Sequence, residues 1–170
     1  MNSRNRNPHA LIAPESTTTL IGEDLVRQVV EGSRKSPRGR IVLPLHKNDS
    51  AILHRMLNGI QPDSYVQPHR HADPPKPESV IVLQGAIRCY IFTDQGKIEE
   101  INTIRALSPV FGIDSEAGVY HTFLATEKDT VLFEVKPGPY SPATDKDFAT
   151  WAPKEGHAEA QRYMRWLYSL

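Results

Sequence analysis

The chain has 170 residues, enough for one hydrophobic core of ordinary size, so a single domain with terminal extensions is expected. Its 20 lysines and arginines equal its 20 aspartates and glutamates, which argues against binding nucleic acid or an anionic membrane. No apolar run approaches the roughly 20 residues that span a bilayer, and the N-terminus lacks a signal-peptide core. The composition therefore predicts a cytoplasmic protein.

The N-terminal region divides into a tail and a helix. Residues 1–19 are polar and predict a flexible tail. Residues 20–33 place apolar side chains four residues apart on one face, as an amphipathic helix requires. Gly32 and then Pro37 are expected to end this helix. The basic stretch that follows predicts a solvated linker, so helix and linker together cover residues 20–40.

From residue 41 to about 136 the chain consists of short segments rich in β-branched and aromatic residues, separated by turn formers. The segment TDQGK predicts a hairpin loop in which Gly96 takes a positive φ angle. The single cysteine, Cys89, lies in the apolar segment AIRCYIF and is expected to be a buried, inert thiol. About seven strands at this spacing, without helical periodicity between them, indicate an antiparallel barrel or sandwich.

Residues 137–170 predict an arm followed by a second helix. Four prolines and two glycines in PGPYSPATDKDFATWAPKEG exclude a continuing strand or helix, while its aromatic residues predict an ordered arm. The final segment HAEAQRYMRWLYSL has apolar residues at helical spacing, from Ala160 to Leu167. This stripe is expected to pack on the barrel.

The segment PHRHADPPKPES contains the chemistry of most interest. His69 and His71 are two residues apart, so on a strand both imidazoles point to one face. Glu78 directly precedes the next apolar strand, and His121 follows a glycine turn in EAGVYHTF. Three imidazoles and one carboxylate would suit Fe, Mn, Ni, Co or Zn and leave coordination positions open.

These residues carry a family resemblance. The stretch PDSYVQPHRHADPPKPESVIVLQG resembles the first sequence motif of the cupins, and EAGVYH resembles the second. With HRMLNGIQPDSYVQPHRH and the arm sequence, the chain resembles the WbuC family of cupin-fold metalloproteins over roughly residues 45–156. The resemblance implies a mainly β fold: a single cupin barrel (double-stranded β-helix, or jelly roll) over residues 41–136, with an N-terminal and a C-terminal α-helix.

The same resemblance implies one divalent transition-metal ion per chain (Fe, Ni, Zn or Mn) held by His69, His71, Glu78 and His121. Six residues separate His71 from Glu78, more than in most cupins, and Asp73 on the same loop is the alternative ligand. Asp63 and Glu116 replace the glycine and the proline that usually occupy two turn positions of the motifs.

The remaining candidates have simpler interpretations. Arg70 alternates with the two histidines and should point away from them, and Tyr65 is expected to pack in the core. Arg55 and Arg88 lie within apolar segments, where an exposed edge explains them as well as an anionic substrate would. The other four histidines lack a partner at metal-binding spacing: His9, His46, His54 and His157.

Two classes of function remain open. The first is a metalloenzyme, such as a dioxygenase or an isomerase, that acts on a small organic or sugar-derived substrate. The second is a non-catalytic, metal-dependent binding protein or sensor, which the missing helix-turn-helix motif disfavours. No acid–base pair is apparent near the first motif. Members of the resembling family are encoded with O-antigen and other surface-polysaccharide genes, and small cupins are often homodimers.

Overall fold

The computed structural model describes residues 9–170, and residues 1–8 of the predicted tail lie outside the described part. Two helices flank a set of ten strands. The elements are α1 (Glu23–Lys35), β1 (Arg40–Pro44), β2 (Leu53–Ile60), β3 (His69–Arg70), β4 (Glu78–Gln84), β5 (Ala86–Phe92), β6 (Ile98–Arg105), β7 (Gly112–Ser115), β8 (Tyr120–Ala125), β9 (Thr130–Pro137), β10 (Asp147–Phe148) and α2 (Ala158–Ser169).

The strands form two five-stranded sheets that face each other. Their strand orders are β1-β2-β9-β4-β7 and β10-β3-β8-β5-β6, and every pair of neighbouring strands is antiparallel. The prediction of a mainly β jelly-roll barrel with an N-terminal and a C-terminal helix is therefore confirmed. The expected hairpin joins β5 to β6, with Gly96 at a φ of 83°.

The interior between the sheets is apolar at one end. Residues that alternate along the strands of both sheets meet there, and Cys89 is fully buried among them. The cluster comprises Ile60, Val80, Val82, Ile87, Cys89, Ile104, Phe123, Ala125 and Leu132. Burial raises the pKa of the Cys89 thiol, so it is held in its neutral form.

Each outer face of the barrel is covered by a helix. On the first sheet, α1 contributes Val29 and Val30 to a buried cluster with Ile41, Leu43 and Leu57. On the second sheet, α2 and the arm cover a cluster that includes Tyr90 and Leu124. The apolar stripe of α2, represented by Ala160, Met164 and Leu167, is buried in this second cluster.

One local prediction was wrong, and one segment has more structure than expected. Gly32 does not end α1, which continues to Lys35. The lack of a side chain at Gly32 lets the helix approach Ile41, and the helix stops only before Pro37. The arm, expected to be ordered without a continuing strand or helix, contains the short strand β10, which pairs with β3 because the stretch between its prolines has free N–H groups.

The described chain begins with a segment that pairs with β1. His9–Leu11, within the segment expected to be a tail, forms main-chain hydrogen bonds with Val42.

Neither α1 nor α2, the helices of residues 9–170, has the length and apolarity needed to cross a membrane.

Replacing Gly96 with alanine should destabilise the protein by about 3 kcal/mol, from positive-φ strain plus overpacking. A Cβ at Gly96 would lie 2.6 Å from the Trp151 ring. Gly156 is the matched control, since its φ is 80° and nothing lies within 4 Å of a Cβ there. Urea unfolding should show a loss of about 1 kcal/mol for Gly156→Ala. Equal losses in both variants would contradict the packing role of Trp151.

Candidate metal centre

Three predicted histidines converge at the end of the barrel interior opposite the apolar cluster. His69 on β3 lies directly opposite His121 on β8, so both side chains point to the same face of their sheet. His121 shares that face with Phe123, which belongs to the interior cluster. His71 follows His69 by two residues and joins the group.

The three imidazoles are close enough to share one ion. One nitrogen of each ring can be chosen such that all three nitrogens lie within 4.8 Å of one another. The ring centroids of His69 and His121 are 4.7 Å apart, and those of His69 and His71 are 5.2 Å apart. All three side chains are buried, so the group is shielded from bulk water. No other cluster among residues 9–170 has metal-binding geometry.

Main-chain carbonyls determine which nitrogen of each ring points inward. His69 Nδ1 is 3.0 Å from the Gln67 carbonyl oxygen, and His121 Nδ1 is 2.9 Å from the Val119 carbonyl oxygen. His71 Nδ1 bonds the carbonyl oxygen of Asp145 in the arm. A carbonyl can only accept, so each Nδ1 carries a proton and donates it. In the neutral rings the lone pairs of Nε2 are then free to bind a metal.

Glu78 lies against two of the three histidines. Its Oε1 is 2.8 Å from His121 Nε2, and its Oε2 is 3.3 Å from His71 Nε2. Burial by itself would raise the pKa of Glu78, but His121, His71 and Lys136 together hold it well below its ordinary value. The carboxylate is therefore ionised and faces the imidazoles.

The environment acts differently on two of the imidazoles. Burial lowers the pKa of His69 well below its ordinary value, and the positive charge of Lys146 adds to this effect. Burial also acts to lower the pKa of His121, but its contact with Glu78 outweighs burial and raises it. In the absence of a metal, a proton on His121 would occupy the place beside Glu78 that a cation could take.

The polar atoms of this group fit a divalent metal ion. Within residues 9–170, His71 Nε2, His121 Nε2 and Glu78 Oε1 are buried and make no hydrogen bond. The 2.8 Å separation of His121 Nε2 and Glu78 Oε1 is short, but its direction is not that of a hydrogen bond. Buried polar atoms without partners are costly, and a shared cation would satisfy all three.

The other residues considered from the sequence lie away from this group. Asp73, the alternative to Glu78, is exposed. Arg70 points to the opposite face, where it pairs with Asp147 and lies over the ring of Tyr120. Tyr65 packs in the outer cluster beneath α2, as predicted.

The remaining histidines stay apart from the centre. The rings of His46 and His54 stack on each other at 3.9 Å, and both are buried. His157 is largely exposed, and its Nδ1 is 3.9 Å from a carboxylate oxygen of Glu159.

A network of buried charges beside Glu78 was missed by the sequence analysis. Glu134 lies opposite Val80, and the same register brings Lys136 alongside Glu78 on the interior face. Lys136 Nζ is 3.3 Å from both Glu134 Oε1 and Asp145 Oδ2. Burial would lower the pKa of Lys136, but Glu134 and Asp145 outweigh it and raise the pKa.

A sequence signal for this network exists in TVLFEVK. Leu132, Glu134 and Lys136 alternate there, so the two charges share the inward face with an apolar core residue. Of the other members, Lys76 approaches Asp145 from a distant segment, and Lys146 directly follows Asp145 in the arm; neither has such a signal.

A cavity of about 440 Å³ opens between β6 and β7, next to the centre. No histidine lines it. Two of its lining residues are cross-strand neighbours of the centre, because Ile91 lies opposite His121 and Ser115 lies opposite Glu78. The cavity therefore adjoins the side of the centre formed by His121 and Glu78.

Residues 21–104 match a family model described as a domain of unknown function, DUF6016. No curated protein matches the chain. The WbuC resemblance thus stays a prediction.

Similar solved structures include two of oxalate decarboxylase from Bacillus subtilis. The enzyme at pH 4.6 has 17% identity and a TM-score of 0.48, covering 62% of this chain and 26% of that one. A tryptophan-to-tyrosine variant has 19% identity and a TM-score of 0.47, covering 59% and 25%. This chain thus spans about a quarter of their length. KdgF from Halomonas sp. has 17% identity and a TM-score of 0.46, covering 61% and 82%.

Replacing Lys136 with methionine should destabilise the protein by about 3–5 kcal/mol, because it leaves Glu134 without its cation and Asp145 with one cation fewer. Chemical unfolding of wild type and variant measures the loss. Adding Glu134→Gln to Lys136→Met removes one of the uncompensated charges and should recover part of it. Lys97→Met, at an exposed position, serves as the control and should change stability by no more than about 0.5 kcal/mol. A Lys136→Met variant as stable as this control would refute the network.

Proposed function

We propose that the chain binds one divalent transition-metal ion through His69, His71, His121 and Glu78, and acts on a small organic ligand there. The observation that carries this proposal is the fixed orientation of the imidazoles. Each donates its Nδ1 proton to a carbonyl, so three Nε2 lone pairs are presented toward one point beside an ionised carboxylate. Water competes poorly for this place because the side chains are buried.

The donor set favours first-row metals and leaves room for a ligand. Three imidazole nitrogens and one carboxylate suit Fe, Ni, Zn or Mn. A metal with an open coordination position supplies Lewis-acid chemistry, or dioxygen activation if it is redox-active. The adjoining cavity provides space for a small molecule of the class that such sites bind.

The buried charges near Glu78 balance one another. Glu134 accepts a hydrogen bond of 2.7 Å from Asn58 and contacts Lys136. Glu134 and Asp145 raise the pKa of Lys136, so its ammonium group keeps its proton and compensates the carboxylates around it. The choice between an enzyme and a non-catalytic binding protein therefore rests on the activity measurements described below.

The wider biological role rests on the sequence resemblance alone. By its similarity to the WbuC cupins, we infer a cytoplasmic protein that acts on a sugar-derived or related substrate of surface-polysaccharide synthesis. The same resemblance suggests a homodimer. The balanced net charge agrees with a small-molecule substrate and disfavours nucleic acid.

Protein purified without added metal should contain close to one equivalent of a transition metal by elemental analysis. His69→Ala and His121→Ala should each lose most of it, since removal of one of four donors weakens the site severely. His157→Ala is the control, because His157 is largely exposed and far along the chain from the centre. It should keep the full metal content.

Unchanged metal content in His69→Ala and His121→Ala would contradict the proposed metal site. Oxygen uptake by the iron-loaded protein with candidate substrates then separates an oxygenase from an isomerase or a binding protein. Only the oxygenase consumes oxygen in proportion to substrate.

A further inference from the structure

The arm forms one wall of the candidate metal centre. Phe148 on β10 lies opposite His69, and Asp147 lies opposite Arg70. The same register continued by one residue brings Lys146 opposite His71, whose Nδ1 bonds the carbonyl oxygen of Asp145.

Alternation along the arm separates two kinds of side chain. Asp147 faces outward, where it bonds Arg70 at 2.7 Å. Lys146 and Phe148 flank Asp147 and therefore point toward the histidines. The ring centroid of Phe148 is 6.0 Å from that of His69. The Lys146 ammonium group lies 3.3 Å from Asp145 Oδ2, and the main-chain carbonyl of the same Asp145 accepts from His71.

Both side chains remain reachable from solvent. Phe148 is 47% exposed, although it is an aromatic residue beside a buried centre. The Lys146 side chain is 31% exposed, whereas those of Lys76 and Lys136 in the same network are almost fully buried. Lys146 is thus the lysine of this network that a ligand can meet without disrupting the barrel.

The net charge around a metal-bound centre would favour binding of an anion. The network contains three lysines, Lys76, Lys136 and Lys146, and three carboxylates, Glu78, Glu134 and Asp145. These charges balance, so a bound divalent cation would leave the centre with an excess of positive charge. A ligand that brings negative charge would reduce this excess in a site of low dielectric.

The position of that negative charge is also constrained. On the other side of His121, the cavity between β6 and β7 is bordered by Glu100 and Glu116. Carboxylates repel an anion there. The negative group of a ligand is therefore favoured on the arm side, close to Lys146.

We propose that Lys146 and Phe148 form the arm-side wall of a ligand site, where Lys146 binds the carboxylate of a small organic anion whose apolar part lies against Phe148. The inference deepens the proposed metal function and rests on it, because the ligand is placed beside the metal ligands. An ammonium group gives a carboxylate a charge-assisted hydrogen bond, and an aromatic ring gives an apolar surface at low entropic cost.

Benzoate tests this site because it combines a carboxylate with an apolar ring, and benzamide is its neutral counterpart. Calorimetric titration of the zinc-loaded protein should show benzoate bound more tightly than benzamide. Lys146→Gln should lower the affinity for benzoate by about tenfold or more, which corresponds to the loss of one hydrogen bond to a charged group. It should change the affinity for benzamide by less than twofold. Lys146→Arg should restore most of the affinity for benzoate.

Two further variants complete the test. Phe148→Ala should lower the affinities for benzoate and benzamide by the same factor, because both ligands lose the same apolar contact. Lys154→Gln removes an exposed lysine of the arm and should leave both affinities unchanged. The zinc content of every variant, measured beforehand, should equal that of the wild type.

Benzoate binding by Lys146→Gln within twofold of the wild type overturns the inference, as does wild-type protein that binds no benzoate at millimolar concentration. Failure of the metal proposal is seen separately, as wild-type protein that holds no zinc. In that case the titrations are run on the metal-free protein, where the contrast between Lys146→Gln and Lys154→Gln decides the inference in the same way.

Discussion

Three hydrogen bonds from imidazole groups to main-chain carbonyls determine the geometry of the candidate metal centre. Two of the carbonyls, those of Gln67 and Val119, lie two residues before the histidine that they orient. The third belongs to Asp145 in the arm. Because a carbonyl cannot donate, all three rings present Nε2 to the interior, and the metal affinity of the group depends on these contacts as much as on the histidines.

The dependence of His71 on Asp145 gives the arm a role beyond covering the barrel. Two hydrogen bonds to the main chain of Ala149 hold the arm along β3: the Gln67 side-chain amide donates to its carbonyl oxygen, and its N–H donates to the carbonyl oxygen of Pro68. The Arg70–Asp147 ion pair fixes the same register from the outer face. A segment far along the chain thereby positions one imidazole, and it carries Lys146 and Phe148 to the same place.

The barrel interior combines two environments. One end is packed with aliphatic side chains, and the other holds the histidines together with the ion pairs of Lys136. Buried ion pairs rarely stabilise a fold relative to apolar packing of the same volume. Their presence beside unpaired imidazole nitrogens is typical of functional sites, where charged groups are kept at a cost in stability.

The sequence by itself determined the properties that depend on one segment at a time. Alternation placed His69 and His71 on one face, glycine fixed the hairpin at Gly96, and helical spacing marked the buried face of α2. The tertiary structure decided the contacts between segments. It brought Glu78 rather than Asp73 against the histidines, and it set Lys136 and Lys146 beside them. Local periodicity records which face a residue occupies, but strand register and packing decide which distant residues share that face.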